Sequence, residues 1–232
     1  MSVKLLALDT SAEQCSVALV DASGIHLIES ERPRKHADEV LGMIDELLQT
    51  HNLTLNALDV IAMVVGPGSF TGLRIGAAVV QGLAFGAALP FVGVSSLATM
   101  ARAAVEVAGP SSYIICCLHA REDEYYLGVY HDNGSGIPTA IITDCVMSAG
   151  DIRGLMNDMG AEVQEQWLAV GSGWQQAVLA ELCVSANSVL PDIIGNAGTA
   201  AQIALAVPTK AWLDASAALP VYLKDEMHYR KL

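Results

Sequence analysis

The chain contains 232 residues, of which 53% are hydrophobic and 16% charged, a composition typical of a globular α/β protein and not of a disordered one. This length suffices for one large domain or for two smaller lobes, each with its own core. The 25 acidic residues against 12 basic ones give a net charge of −13, which disfavours direct contact with nucleic acid. A basic protein partner is the natural complement, and any RNA involved would be held by that partner.

The cysteines and the N-terminus predict a cytoplasmic protein. The five cysteines form no CxxC pair, so we expect reduced and mostly buried thiols rather than a disulfide framework or a zinc knuckle. The first residues lead directly into a predicted strand, without the pattern of a signal peptide. The uncharged stretch 75–101 is interrupted by Pro90 and several glycines, so we interpret it as core and interface, not as a membrane span.

Residues 1–108 are predicted to form a first lobe that begins with a meander of three antiparallel strands. These strands are expected at 4–9, 15–20 and 25–30. Apolar residues then recur with helical spacing over 36–51, and the opposite side of that helix is acidic. A buried strand at 60–65, a long helix at 71–86, a strand at 91–94 and a helix from the N-cap Ser95 to about 107 complete the lobe.

The segment 109–112, Gly-Pro-Ser-Ser, predicts the boundary with a second lobe, residues 109–232. Strands are expected there at 113–118, 125–130, 137–145, 167–170 and 220–223, and helices at 149–159, 175–183 and 196–207. Both halves therefore share the order β-β-β-α-β-α, a repeat in topology although not in sequence. The late helices are candidates for packing back on the first lobe.

The motif Gly-Pro-Gly-Ser-Phe-Thr-Gly, residues 66–72, lies between a predicted strand and the long helix. Backbone N–H groups at such a helix start, next to Gly68 and Ser69, are suited to hold an anion. The motif lacks the Gly-Lys-Ser/Thr ending of a P-loop and does not have the spacing of GxGxxG. A tight turn with a helix cap explains the same residues equally well, so both interpretations stay open.

The helices 36–51 and 71–86 form the predicted docking surface for a protein partner. The second helix is apolar on every side, and glycines repeat along it with the four-residue spacing that lets another helix approach closely. The residues expected at the interface are Val40, Leu41, Ile44, Leu48, Gly72, Leu73, Gly76, Val79, Val80 and Leu83. The alternative is that both helices are covered entirely within the chain. If they dock, Leu41→Asp or Val80→Glu is expected to break the association.

The turn Asp9-Thr10-Ser11 resembles the first phosphate clamp of the actin-like ATPases, an acid and hydroxyls at a bend between two strands. The matching segment of the second lobe, 119–124, contains no glycine and carries four charges, among them Arg121. Its three carboxylates would repel a triphosphate. We therefore expect a vestigial anion or nucleotide contact at Asp9, Thr10, Ser11, Gly68, Ser69 and Arg121, and no ATP hydrolysis by the chain alone.

The usual catalytic and metal-binding patterns are missing from the sequence. No two histidines are spaced i, i+4, and no GxSxG motif indicates a serine hydrolase. Paired carboxylates occur at Asp38 and Glu39 and again at Asp45 and Glu46, but they lie on the solvated side of a predicted helix. We expect neither catalytic residues nor a metal site.

Several motifs together resemble the TsaB (YeaZ) family of bacterial tRNA threonylcarbamoyladenosine biosynthesis proteins. They are Leu-Ala-Leu-Asp-Thr-Ser at 6–11, Cys-Ser-Val-Ala-Leu at 15–19, Gly-Pro-Gly-Ser-Phe-Thr-Gly-Leu-Arg-Ile-Gly at 66–76, Gln-Gly-Leu-Ala at 81–84, Gly-Val-Ser-Ser-Leu at 93–97, Ala-Arg at 120–121 with Asp-Glu-x-Tyr at 123–126, and Pro-Val-Tyr-Leu at 220–223. The resemblance covers nearly the whole chain, and the block 66–76 is highly specific.

The resemblance implies a two-lobed actin-like α/β fold of the ASKHA superfamily, with RNase H-like lobes. It implies a non-catalytic paralogue that binds and activates TsaD, the metal-bearing subunit that transfers threonylcarbamoyl to adenosine 37 of tRNAs reading ANN codons. The ATPase TsaE joins that complex, ATP or ADP is a candidate ligand at its junction, and tRNA is reached only through it. The family docks through first-lobe helices, here 36–51 and 71–86, and self-associates through them when TsaD is absent.

The chain departs from the family pattern at three positions. The family often has an arginine where Val65 stands, an acid where His119 stands and a hydrophobe where Tyr125 stands. These departures weaken the case for nucleotide contact at the second hairpin. The alternative functions are an actin-like ATP-dependent phosphotransferase and a glycopeptidase-like hydrolase, and each requires a clamp or a histidine pair that the sequence lacks.

Overall fold

The computed structural model describes residues 2–30, 32, 35–109, 113–159 and 167–223, which form two lobes with one five-stranded mixed sheet each. The predicted two-lobed α/β architecture is confirmed. The first lobe contains β1 (Leu5–Asp9), β2 (Ser16–Asp21), β3 (Gly24–Glu29), α1 (His36–Thr50), β4 (Val60–Gly66), α2 (Phe70–Ala87) and β5 (Phe91–Ser95). A helix between the lobes, α3 (Ser96–Ala108), follows directly.

The remaining elements are β6 (Tyr113–Arg121), β7 (Glu124–His131), β8 (Thr139–Ser148), α4 (Ala149–Asp158), β9 (Trp167–Val170), α5 (Ala177–Ala180), β10 (Ser188–Leu190) and α6 (Ala197–Ala206). The first sheet has the order β3-β2-β1-β4-β5, and the second has the matching order β8-β7-β6-β9-β10. In each sheet the first three strands along the chain pair antiparallel with their neighbours. The other two strands extend the sheet in parallel from the central strand, which is β1 in the first sheet and β6 in the second. The predicted meander and the repeat in topology are therefore confirmed.

Two helices lie between the sheets and connect the lobes. Helix α6 is rich in alanine and covers the face of the first sheet that carries Leu5, Ala62 and Val94. Helix α3, although it follows the first sheet in sequence, packs Leu97 and Met100 against the second sheet. Each lobe thus depends on a helix contributed from across the lobe boundary. The predicted boundary residues 110–112 lie outside the described residues.

Helix α1 covers the other face of the first sheet with a single apolar side, as its periodicity predicts. Helix α2 is different, because it is apolar on every side. Judged by length and composition alone, it is the one helix among the described residues that could cross a membrane. It connects the parallel neighbours β4 and β5, and its side carrying Leu73, Ala77 and Val80 packs into the core. Both ends of α2 are therefore fixed to one sheet of a globular lobe.

Three predictions of local structure are wrong. A continuous helix at 175–183 is replaced by short 3₁₀ and α turns, which follow the buried Trp174, whose indole donates from Nε1 to the Ile115 carbonyl at 3.0 Å. Segment 220–223 is not a strand, since its backbone makes a single bond to the sheet, from Val221 N to the Val65 carbonyl. Strand β10 was missed because three residues show no readable periodicity.

Candidate functional site

Helix α2 turns a stripe of small and apolar residues to solvent. Ala78 and Gly82 are exposed, and Phe85 has 85% of its surface exposed. The stripe is bordered by three half-buried apolar side chains, Ile75, Val79 and Leu83. Small residues on a helix leave a shallow surface onto which a second helix can pack closely, and exposed apolar patches are typical of protein contact sites.

Helix α1 extends this surface on one side. Leu41 is 54% exposed, and Ala37, one turn earlier, shares a groove with Ile75 of α2. We call the combined surface the outer face; it comprises Ala37, Leu41, Ile75, Ala78, Val79, Gly82, Leu83 and Phe85. Acidic residues of α1 flank it, with Asp38 and Asp45 both exposed.

Five residues predicted at the partner interface lie in the core of the first lobe instead. They are Val40, Ile44, Leu48, Leu73 and Val80, each no more than 8% exposed. They are buried because the inward sides of α1 and α2 pack on each other and on the sheet. Of the predicted set, Leu41, Val79 and Leu83 reach the outer face. The expectation for Val80→Glu is corrected accordingly, because that substitution places a carboxylate inside the core and not at a contact.

Gly72 and Gly76 serve a contact within the chain and do not belong to a helix-docking stripe. A Cβ atom on Gly72 would overlap the carbonyl oxygen of Thr10, and one on Gly76 would overlap the Thr10 hydroxyl. The Thr10 hydroxyl donates to the Gly72 carbonyl at 2.8 Å. By contrast, a Cβ on Gly82 would meet nothing within 4 Å. The first glycine pair therefore holds α2 against the β1–β2 turn, while Gly82 lies on the outer face.

The polar groups of the turn Asp9-Thr10-Ser11 are buried and engaged within the chain. The Asp9 carboxylate accepts two hydrogen bonds from Ser11, from its amide at 2.8 Å and from its hydroxyl at 2.6 Å. Burial raises the pKa of the Asp9 carboxyl, against these two hydrogen bonds, which lower it. The Ser11 amide and hydroxyl, which could donate to a phosphate, are thus used within the turn.

The loop 66–69 is a tight turn that ends in a helix cap. Ser69 accepts from the Gly72 amide at 3.2 Å as the N-cap of α2, and its own amide donates to the Ser11 carbonyl at 2.7 Å. Gly68 lies so close to this turn that a Cβ would come within 2.5 Å of the Ser11 carbonyl oxygen. The turn-and-cap interpretation describes this geometry, and the anion contact stays a prediction.

A cleft of about 380 Å³ lies between the lobes at this turn. It is lined by Asp9, Ser11, Ala12, Glu13, Pro67, Gly68, Ser96, Thr99, Met100, Leu118, Ser172, Pro191, Asp192, Ile193, Ile194 and Gly195. Three of these residues are acidic and none is basic. Such a lining repels the phosphates of a nucleotide unless cations are supplied from outside.

Arg121 does not reach this cleft. It lines a neighbouring groove, which shares Pro67 and Gly68 with the cleft, and its guanidinium donates from Nε to Glu124 at 3.0 Å. Asp9, Ser11 and Gly68 thus meet in the cleft, with Thr10 buried beneath them and Ser69 in an adjoining groove. Apart from the buried Thr10, the predicted anion contacts therefore line three neighbouring grooves that adjoin at Ser11 and Gly68, and their role in anion binding stays a prediction.

A cluster that sequence reasoning missed lies elsewhere on the first lobe. His26 and His51, distant in sequence, have their ring centroids 3.8 Å apart and both contact the carboxylate of Asp21. No local spacing connects them, so no sequence motif could have indicated the cluster. Two imidazoles and one carboxylate are a donor set that holds divalent transition metals.

Comparison with known proteins gives consistent matches over nearly the whole chain. A family model described as "TsaD: tRNA N6-adenosine threonylcarbamoyltransferase" matches residues 28–223. The tRNA threonylcarbamoyladenosine biosynthesis protein TsaB of Haemophilus influenzae is 35% identical over 239 aligned positions, covering 100% of this chain and 98% of the relative. TsaB of Escherichia coli is 36% identical over 173 positions, covering 75% of this chain and 73% of the relative.

The solved structure of YeaZ from Pseudomonas aeruginosa has the same fold. It superimposes with a TM-score of 0.80 at 31% identity, covering 96% of this chain and 100% of the other. The likeness includes both lobes and the elements that connect them.

Proposed function

The chain belongs to the TsaB (YeaZ) family, and from this membership we propose that it takes part in the biosynthesis of threonylcarbamoyladenosine in tRNA. Its role is that of a non-catalytic scaffold subunit in the cytoplasm, which binds the transferase TsaD and holds it in an active state. TsaD then installs threonylcarbamoyl on N6 of adenosine 37 in tRNAs that read ANN codons.

The observation that carries this proposal is the outer face of α1 and α2. A lobe that leaves Leu41 54% exposed and Phe85 85% exposed beside small residues presents an apolar surface that another protein can cover. The family model that matches this chain is named after the transferase, so the two proteins share an architecture. A paralogue that shares this architecture is a fitting occupant. In its absence a second copy of the chain takes the same position.

The interlobe cleft supports a role without chemistry of its own. Its lining contains no basic side chain, and the Asp9 carboxylate is already hydrogen-bonded to Ser11. ATP or ADP therefore binds, if the complex uses it, at a junction to which TsaD or TsaE contributes the cations. With a net charge of −13, the chain reaches tRNA only through its partners.

Co-elution with TsaD on size-exclusion chromatography tests the docking proposal. Leu41→Asp places a charge in the outer face, so we expect loss of co-elution and of TsaD-dependent tRNA modification, with the variant still folded. Val184→Asp is the matched control, because Val184 is 89% exposed in the second lobe. Undiminished co-elution of folded Leu41→Asp, or equal loss in both variants, contradicts docking through the outer face.

Calorimetric titration of the isolated chain with Mg–ATP tests whether the chain binds ATP and could act as an enzyme by itself. We expect no stoichiometric binding, because the magnesium ion neutralises only part of the charge of the triphosphate and the cleft offers it three acidic residues and no basic one. Clear binding with one ATP per chain would instead favour a phosphotransferase. Modification of tRNA by the chain without TsaD would overturn the scaffold role altogether.

A further inference from the structure

Two histidines and an aspartate meet where the β2–β3 turn touches the end of helix α1. Asp21 is the last residue of β2, His26 lies on β3, and His51 directly follows α1. The Asp21 Oδ1 atom lies 3.3 Å from His26 Nε2, and Oδ2 lies 3.1 Å from His51 Nδ1. One ligand atom of each residue lies within 4.8 Å of the other two. Three separate elements thus direct donor atoms at one point.

These donor atoms lie close enough together to share one ion. Ligands about 2.0–2.1 Å from zinc at tetrahedral angles are separated from each other by about 3.3 Å. Each imidazole nitrogen lies near that distance from a different oxygen of the Asp21 carboxylate, 3.3 Å from Oδ1 and 3.1 Å from Oδ2, so a rotation of the carboxylate brings one oxygen toward both nitrogens. The imidazole rings are tilted by 36° and both direct a nitrogen at the same carboxylate. A cation bound between these side chains would take the place of the hydrogen bonds that join the two imidazoles to the Asp21 carboxylate.

The chemical type of the three donors favours a transition metal over magnesium or calcium. Imidazole nitrogens favour zinc and related divalent transition metals, whereas magnesium and calcium prefer oxygen ligands throughout. The three side chains are between 16% and 28% exposed, so the site is reachable from solvent. Water can complete the coordination.

Ser23 positions the carboxylate for this purpose. Its amide donates to Asp21 Oδ1 at 2.7 Å and its hydroxyl does so at 2.5 Å. These hydrogen bonds hold the carboxylate in place, and the same Ser23 hydroxyl lies 2.9 Å from His26 Nε2. Metal-binding carboxylates are commonly oriented by outer hydrogen bonds of this kind.

We propose that Asp21, His26 and His51 bind one divalent transition-metal ion, zinc by preference, with the remaining coordination position open to water. The ion ties the β2–β3 turn to the C-terminal end of α1, the helix that contributes Leu41 to the outer face. Because the three ligands come together only in the folded lobe, binding stabilises the fold. The inference is independent of the proposed function.

Zinc binding by the full-length chain, free of any affinity tag and stripped with a chelator, tests the proposal. Titration in competition with a chromophoric chelator is expected to give one zinc ion per chain. Thermal unfolding is expected to shift upward with zinc and to stay unchanged with magnesium or calcium. Failure of the wild-type chain to compete for zinc would overturn the proposal and leave the cluster as a hydrogen-bonded triad.

Glutamine substitutions separate the metal role from that triad. His26→Gln and His51→Gln retain an amide able to donate to Asp21 but remove the imidazole ligand. Each is expected to weaken zinc binding by about tenfold or more. His119→Gln, at an exposed histidine of the second lobe, is the control and should bind zinc as the wild type does. Wild-type zinc affinity in both His26→Gln and His51→Gln would place the ion elsewhere and refute the assignment.

Discussion

The contact of Thr10 with helix α2 explains a sequence feature that pointed in the wrong direction. Glycines spaced four apart on an apolar helix predict a surface for another helix. At Gly72 and Gly76 the close neighbour is instead the turn after β1, whose Thr10 hydroxyl bonds the Gly72 carbonyl. The contact with Thr10 therefore accounts for Gly72 and Gly76, whereas Gly82 has no such neighbour and is open to solvent.

Alanine substitutions at these glycines should have opposite effects on the free energy of unfolding. Gly72→Ala forces a Cβ into the Thr10 carbonyl oxygen, so we expect a loss of about 1–3 kcal/mol or more. Gly82→Ala meets no neighbour and removes a poor helix former, so we expect a gain of up to about 1 kcal/mol. Urea denaturation of both variants measures the difference. Similar losses at the two positions would contradict the assignment of Gly72 to the turn contact.

At the scale of elements, helix α2 was predicted with nearly correct bounds, but its orientation was not. The sequence is apolar on every side, so periodicity gives no signal for which side faces the sheet. The structure buries Leu73, Ala77 and Val80 and exposes Ala78 and Phe85. For α1 the acidic residues mark the outer side, and there the burial pattern follows the sequence.

Glutamate introduced at two positions of α2 that are two residues apart should therefore have different effects, on folding at one position and on partner binding at the other. Val80→Glu buries a carboxylate in the core and is expected to unfold the lobe, with a cost of several kcal/mol. Ala78→Glu lies on the outer face, so we expect a folded chain that no longer co-elutes with TsaD. Circular dichroism and size-exclusion chromatography together distinguish the two. A folded, soluble Val80→Glu protein would contradict the orientation of α2.

At the scale of the whole molecule, a polar network fastens one lobe to the other. Ser95, at the end of β5, and Tyr130 of β7 both donate to the carboxylate of Asp144 on β8. Burial raises the pKa of the Asp144 carboxyl, while the hydrogen bonds from Ser95 and Tyr130 lower it. Burial dominates, so the folded state binds a proton at Asp144 more readily than the unfolded chain does.

The stability contribution of Asp144 should depend on pH with a definite sign. It is fully present below the unfolded pKa of 3.8 and is lost as pH rises through the higher folded pKa. Asp144→Asn cannot titrate, so the variant should gain stability relative to the wild type over that window, by at most about 1.4 kcal/mol per pH unit. Urea denaturation at several pH values measures this difference, in which the titration of Asp9 cancels because both proteins contain it. A difference that is flat, or that falls with rising pH, would contradict a raised pKa.

The sequence by itself determined most of the order of the elements, the topology that the two lobes share and the family. These properties depend on local information, because strand and helix periodicity and the glycine and proline turns are read over a few residues. The family was likewise recognised from a short stretch of sequence, the block 66–76. Periodicity missed strand β10, which has only three residues, and it predicted a continuous helix where short turns follow the buried Trp174.

Only the tertiary structure decided which residues meet. The side of α2 that is buried, the turn that touches Gly72 and the separation of Arg121 from the cleft all depend on sheet order and helix rotation. The same holds for His26 and His51, which become neighbours because α1 ends beside the β2–β3 turn. Half of the residues predicted at the partner interface, all hydrophobic side chains of α1 and α2, lie inside the first lobe, since hydrophobicity alone does not distinguish a core from a contact.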